Sequence, residues 1–577
     1  MRQAPLSTTI TLALILTACA TQPDSPTAPT VPAVDLPPEV ESAADAITPT
    51  GLLESVTRLS ADELEGRAPG TTGDHLARTY LAERLAGLGY EPAFAGGESW
   101  DQPFEILGVD SHMPETWTFD AAGGGEAVSF RFRDEYMGAS GVQQSGVSIE
   151  NSEVVFVGYG IQAPEEDWDD FKGQDLSGKV LLMLNDDPDW DPGLFAGERK
   201  LYYGRWDYKY ESAARQGAAA AIIIHTTPSA GYPWVVVRNS WSGEQFQLRA
   251  GDEPRTPLQA WLTEDAARRL ATSGGQDLDE LVERARSRDF SPVPLGVTTS
   301  IDFDVDVRAT ETANTAGILR GSDPALADEV VVYSAHHDHL GTGEPDETGD
   351  RIYNGALDNG VAMAQALAVA ETFAGLPEAA RPRRSVMFFF PAAEEQGLLG
   401  SLYFARAGEP HPGKLAADIN LELGNIWGRT RDVVIFGKGK STLEDLLAAT
   451  ARLQEREVTA EADVHAGWYY RSDQFSLARF GVPSIWFRSG SDFIDRPEGS
   501  DADPFASWIR QHYHRPSDEV AEDWNFDGLV EDAQLAFWLG WLVAEADTAP
   551  EWYSGDEFED ERSSALAELE GTVPISP

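Results

Sequence analysis

"SVMFFFPAAEEQGLLGS" (385–401) joins an apolar run of strand length, Ser385–Phe390, to two adjacent glutamates, Glu394 and Glu395. Like charges at the mouth of a buried strand are costly unless a cation or a shared proton holds them. Similar runs recur on either side: "VVVY" (330–333), "ADINLEL" (417–423), "VVIFG" (433–437) and "SIWF" (484–487). Stretches of helical spacing, such as 359–373 and 441–454, separate most of them. Strand and helix in alternation predict an α/β fold, a mostly parallel mixed sheet sandwiched by helices. In such sheets ligands gather at the carboxyl ends of the strands. The glutamate pair therefore stands where a site is expected.

Polar residues follow the other strands too. "SAHHDHLG" (334–341) comes directly after "VVVY". His336 and Asp338 are two apart, so on extended chain they face the same way. A ligating histidine usually gives its second ring nitrogen to an acceptor, which suggests His336 as a metal ligand and Asp338 as its orienter. His337 would face away into packing, and His339 is within reach of the site. Asp358, in "YNGALDN" (353–359), stands where a helix begins; taken alone it reads first as a helix cap, and the tight turn there also holds its carboxylate at a bend, as a site would require. "INLELGN" (419–425) places Glu422 on the face opposite Ile419 and Leu421, at a strand end. His514 lies in the turn-rich "QHYHRPSDE" (511–519), with Pro516 fixing the chain after it. Two histidines and three carboxylates at successive loops of one sheet make a ligand set for two divalent metals sharing a bridging carboxylate. Nitrogen and oxygen ligands without thiolate suit zinc, with cobalt or manganese as alternatives.

Composition narrows the partners. Of 577 residues, 96 are Asp or Glu against 43 Lys or Arg, a formal net charge of −53. Nucleic acid, which needs a basic footprint, is excluded as a partner on this balance. The acidity reads as a heavily solvated surface suited to a salty or variable medium.

The start "MRQAPLSTTITLALILTACA" (1–20) has Arg2, an apolar run too short to span a bilayer, and the single cysteine, Cys19. "LTAC" (16–19) resembles the lipobox of bacterial lipoproteins, which implies lipidation at Cys19 and anchoring to a membrane. Ala20 in place of aspartate after the cysteine points to the outer membrane, with the protein exported to the periplasmic face of a bacterial envelope. Residues 20–48, rich in Pro, Thr and Ala, read as a flexible linker.

These motifs, with "LSADELEGRAPGTTG" (59–73), "YYRSDQFSLARFGVPSIWF" (469–487) and "YHRPSDE" (513–519), resemble the M28 family of co-catalytic zinc peptidases. The resemblance implies two zinc ions, peptide substrates and, most simply, an aminopeptidase. It assigns His336 to one metal, His514 to the other and Asp358 as the bridge, with Glu395 a ligand and Glu394 the general base. Glu422 stands where the family more often has aspartate, which alters the reach of that ligand. "VVFVGYGIQAPEEDWDDF" (154–171) and its neighbours resemble the protease-associated domain inserted into many M28 enzymes. The implied layout is a signal peptide (1–19), the linker (20–48), a discontinuous peptidase domain (49–139 and 296–548), the inserted domain (140–295) and an acidic tail (549–577). Three alternatives stay open at this stage. A carboxypeptidase of the same family would use Arg471 or Arg488 for the substrate carboxylate. The others are a single-zinc glutaminyl cyclase and a non-catalytic receptor-like protein.

Overall fold

A computed structural model describes residues 34–571 apart from 123–124, 252, 495 and 497–502. The leader, Cys19 and most of the linker lie outside the described residues. Four parallel strands form the centre, in the order Ser385–Phe390, Val330–Ser334, Leu415–Asn420, Ser484–Ser489. Beyond the last, Asp432–Phe436 runs antiparallel, with Glu457–Ala460 parallel at its side. Beyond the first, the C-terminal part of a 27-residue strand, Val293–Leu319, runs antiparallel and pairs in turn with Asp101–Ser111.

Every residue of the four central strands is buried except Arg488, which is half-buried. Alternate residues serve opposite faces. Val331, Tyr333, Val386, Phe388 and Phe390 pack under the helices Pro49–Leu59, Ala362–Gly375 and Asp527–Glu545. Val330, Val332, Met387 and Phe389 pack with Phe404 and Leu477 from the helices Leu399–Ala407 and Gln474–Ala478. A strand covered on both faces has no polar side to show, so its sequence is continuously apolar rather than alternating. Each fully buried Phe or Val contributes roughly 1.5–3 kcal/mol. Tyr333 stacks on Phe388 with ring centroids 4.9 Å apart. The rigid layer thus formed ends, at one edge, in the loops that carry the polar residues. The expected α/β architecture is the one observed.

The 27-residue strand passes from this sheet into a second. There the order is Val128–Arg131, Thr116–Ala121, Val293–Leu319, Gly146–Phe156, Val180–Leu184, Ala220–His225, Leu258–Thr263, Tyr136–Ser140. Its core includes Trp117, Phe119, Phe156, Ile222 and Leu262. Three details differ from the layout read from sequence. The strands between 116 and 140, assigned to the peptidase domain, hydrogen-bond into this second sheet, because Thr116–Ala121 pairs with Val293–Leu319 and Tyr136–Ser140 with Leu258–Thr263. The 549–577 tail is folded through much of its length: Trp552 and Phe558 are buried, and Glu559–Leu569 is a helix. Residues 38–46, read as linker, form short helices that bury Val40 and Ala44 in the main core. Among the described residues, no helix is long and apolar enough to cross a membrane.

Candidate active site

Three of the four central strands release chains that carry the candidate residues at one edge of the sheet. Val330–Ser334 leads to His336 and Asp338, Ser385–Phe390 to Glu394 and Glu395, and Leu415–Asn420 to Glu422. Asp358 comes from the irregular turn Ala356–Val361 that precedes the helix Ala362–Gly375. His514 follows the helix Pro504–His512 with a left-handed backbone, φ 56°.

These residues converge. His336 Nε2 lies 3.4 Å from Asp358 Oδ1, 3.4 Å from Glu422 Oε1 and 4.0 Å from Glu394 Oε2. His514 Nε2 lies 3.3 Å from Asp358 Oδ2 and 2.9 Å from Glu395 Oε2. Asp358 thus presents one oxygen to each histidine. The side chains assigned to the metals and the general base, His336, Asp358, Glu394, Glu395, Glu422 and His514, are brought together. The longer side chain of Glu422 is fixed by Ser472 Oγ, which donates to Oε2 at 3.0 Å, and by Asn359 Nδ2 at 3.2 Å.

Asp338 sits differently from the sequence reading. Its carboxylate is 3.8 Å from His336 Nδ1, too far to orient the ring by a hydrogen bond. The ring nitrogen is instead 3.2 Å from the Asp338 main-chain carbonyl. The carboxylate accepts from the backbone N–H groups of Glu394 (3.1 Å) and Glu395 (3.4 Å). Asp338 therefore anchors the glutamate pair. His337 is packed away, bonded to Asp74 Oδ1 at 2.9 Å. His339 reaches the site through Nδ1, 2.6 Å from Glu395 Oε1.

Electrostatics separates the two glutamates. Burial pushes the Glu394 carboxyl well above its usual range, and its neighbours Glu422, Glu395 and Asp473 push the same way, outweighing His336. Burial also opposes ionisation of Glu395, but the His514 and His339 imidazoles outweigh it and bring the carboxyl down to about 2. On His514 burial acts downward, and Glu395 and Asp358 overcome it to raise the imidazole to about 10. On His336 burial again acts downward, and Glu422 and Glu394 raise it well above its usual value. A site that draws protons this strongly onto imidazoles is one whose potential favours a cation.

The donor set fits a divalent metal. The Nε2 atoms of His336, His339 and His514 are buried without a hydrogen-bond partner. His336, Glu394 and Glu422 each bring a ligand atom within 4.8 Å of one another, and so do His339, Asp358 and Glu395. Buried polar atoms left unpaired are costly, so their gathering at one point indicates a ligand.

Supporting residues escaped the sequence reading. Asp518 accepts from the backbone N–H of Leu357 (2.8 Å) and Asp358 (3.1 Å) and so holds the Asp358 turn. Arg67 is fully buried and donates to the carbonyls of Leu59, His337, Asn354 and Gly355 at 2.5–3.0 Å. Both lie in motifs singled out above, "GRAPG" and "RPSDE", yet nothing in their spacing marks them as braces. Arg488 is outside the site: its guanidinium stacks on Phe505, 3.4 Å from the ring centroid.

Residues 314–538 match Peptidase family M28, which bears out over that span the resemblance drawn from the motifs. Among curated proteins none matches the chain. Similar solved structures include an aminopeptidase from Aneurinibacillus sp. strain AM-1, 18% identical, covering 88% of this chain and 97% of that one with a TM-score of 0.48. A zinc aminopeptidase from Bacillus subtilis is 16% identical, with 89% and 97% covered and a TM-score of 0.38. A peptidase M28 precursor from Shewanella amazonensis is 17% identical, with 88% and 97% covered and a TM-score of 0.39.

Proposed function

We propose, from the match of residues 314–538 to Peptidase family M28 and from the geometry of the centre, that this chain is a zinc-dependent exopeptidase that releases N-terminal residues from peptides. The observation that carries this reading is the pair of oxygens of Asp358 facing His336 on one side and His514 on the other. On this reading His336, Asp358 and Glu422 hold one metal, and Asp358, Glu395 and His514 hold a second. A bound zinc supplies Lewis-acid polarisation of a carbonyl and of water.

The chain's own residues do the rest. Glu394 has no imidazole within hydrogen-bonding distance, so on this reading its carboxylate takes the proton of the attacking water and returns it to the leaving amine. Glu395 stays ionised, fixed by His339. The surplus of carboxylates, with both Asp473 oxygens buried and unpaired, favours a substrate's α-ammonium. The second cluster around His514 weighs against the single-metal cyclase alternative. The second sheet serves, in this reading, as a protease-associated domain bounding the cleft. Export and lipid anchoring at Cys19 belong to the same proposal, and mass spectrometry of the mature chain tests them.

The Glu394→Gln variant tests the core of the reading. It keeps zinc content near wild type and loses hydrolysis of aminoacyl substrates; an active variant would refute the assignment. Release of residues from the C-terminus of N-blocked peptides would overturn the aminopeptidase direction.

A further inference from the structure

Residues 551–558 lie beyond the span matched to Peptidase family M28, yet they are packed into the body. The backbone N–H of Thr442 donates to the Glu551 carbonyl at 2.9 Å, and that of Tyr553 to the Lys440 carbonyl at 2.8 Å. Trp552 Nε1 donates to the Gly481 carbonyl at 3.0 Å. Within this segment the Glu557 side chain is only 3% exposed. Its Oε1 accepts from Lys440 Nζ at 2.6 Å and from the Tyr470 hydroxyl at 2.5 Å. Its Oε2 accepts from the backbone N–H of Tyr202 at 3.0 Å. Tyr202 lies in the inserted unit, and Lys440 and Tyr470 lie in the span matched to the family. One buried carboxylate of the tail thus joins the inserted unit to the peptidase body.

Tyr470 belongs to the turn Trp468–Arg471, which ends immediately before Ser472. From that turn a run of buried hydrogen bonds leads to the metal centre. Gln474 Nε2 donates to the Tyr469 carbonyl at 2.6 Å, and Gln474 Oε1 accepts from Asn420 Nδ2 at 2.7 Å. The same Asn420 amide donates to Ser472 Oγ at 2.7 Å, which leaves the Ser472 proton for Glu422 Oε2 at 3.0 Å. Gln474 and Asn420 are fully buried and Ser472 nearly so, so a lost partner is not replaced by bulk water. Lys440, the cation paired with Glu557, has its Nζ 4.9–5.5 Å from the ring centroids of Tyr469, Tyr470 and Phe558. A buried ion pair contributes little net stability, so its effect is sought in what it aligns.

We propose that Glu557 is a positioning residue for the metal centre. By holding Tyr202 of the inserted unit and Tyr470 on one carboxylate it fixes the turn Trp468–Arg471, and through Gln474, Asn420 and Ser472 that turn fixes the Glu422 carboxylate. The tail is then part of the frame of the site, and the seating of the inserted unit is felt at one metal. This rests on the reading above, in which Glu422 is a metal ligand. The ligand Glu395 is held from other loops, by His339 and by the Asp338 carboxylate.

The test is a zinc titration of the full chain against a competing chelator, which reads the two stepwise constants; Glu422→Ala identifies the step that belongs to Glu422. Glu557→Gln keeps the shape and removes the charge. It is expected to weaken that step by about threefold or more and to leave the other unchanged, the size expected of a residue acting through a network. Tyr470→Phe removes only the hydroxyl, gives the same pattern, and carries the test should Glu557→Gln fail to fold. Combining Glu557→Gln with Ser472→Ala separates positioning from general loosening. A run that passes through Ser472 makes the double variant no weaker at that step than Ser472→Ala alone. Trp552→Phe frees the tail from the Gly481 carbonyl without removing a partner of Glu557, and leaves both constants unchanged. Constants unchanged in the Glu557 and Tyr470 variants that fold, equal weakening of both steps, or losses that add in the double variant overturn the positioning role and leave the peptidase reading standing. The same weakening in Trp552→Phe also overturns it. Zinc binding without hydrolysis of any peptide by the wild type, with the Glu422 step still weakened in Glu557→Gln, overturns the peptidase reading and supports the positioning role.

Discussion

Arg67 ties together three pieces of chain that are far apart in sequence, and its removal has a calculable effect. Its guanidinium donates to the carbonyls of Leu59, His337, Asn354 and Gly355, and the side chain is fully buried. Burial lowers the group to about 10, so it stays charged at neutral pH. A hydrogen bond to a charged group contributes about 1.5–3 kcal/mol, and carbonyls left unpaired in the interior add a desolvation cost. The four bonds share one group and are not additive, so we expect Arg67→Ala to destabilise the metal-free protein by about 4–5 kcal/mol. The carbonyls it braces flank His336 and Asp358, so zinc affinity should fall about 10–100-fold, as when other outer partners of metal ligands are lost. Denaturant unfolding with chelator present reads the first quantity, and zinc titration with a competing chelator reads the second. Chelator matters because bound metal would stabilise both proteins by mass action. A loss of stability below about 1 kcal/mol together with unchanged zinc affinity would refute the bracing role.

Two smaller perturbations probe the same frame. Ser472→Ala removes the hydroxyl that donates to Glu422, and zinc affinity should drop by about tenfold to a hundredfold in the same titration, the worth of one hydrogen bond to a charged group. Asp74 is buried, yet its bonds to His337 and the nearby Arg78 hold the carboxyl at about 2, below its unfolded value of 3.8. Its stabilising effect is therefore complete above the unfolded value and disappears as pH falls from there through about 2; a shift of this size corresponds to about 2 kcal/mol. Acid unfolding of Asp74→Asn should lack that part of the pH dependence, and an unaltered profile would refute it.

The strands with both faces covered were legible because burial on both sides leaves a continuous apolar run. "SVMFFF" and "VVVY" are strands within a residue of where their hydrophobicity places them. The convergence of the site side chains was legible for a related reason: polar residues that follow parallel strands fall at one edge of the sheet. Asp338 was assigned the wrong partner because alternation predicts facing direction, whereas the chain leaves the strand after Ser334 and its carboxylate turns to the Glu394 and Glu395 amides. Arg67 and Asp518 act on backbone carbonyls and amides from distant segments, and no local spacing encodes such contacts. The strands at 116–140 were misplaced because their partners, near 258–262 and 297–299, lie far along the chain. From sequence the tail reads only as acidic, while its two buried aromatics, Trp552 and Phe558, fasten it to the body.

The long strand Val293–Leu319 has a consequence for how the chain acquires its shape. Its register with Asp101–Ser111 brings together residues such as Gln102 and Asn314, which are 212 positions apart. Closing so large a loop from an unstructured chain is entropically unfavourable, and non-local pairing of this kind slows folding. The second sheet lies almost wholly inside that loop. Val293–Leu319 belongs to both sheets, so a formed second sheet leaves Asp101–Ser111 and the end of that strand as near neighbours. An insert that shares a strand with the main sheet thereby shortens the closure required at the edge that carries Glu394 and Glu395.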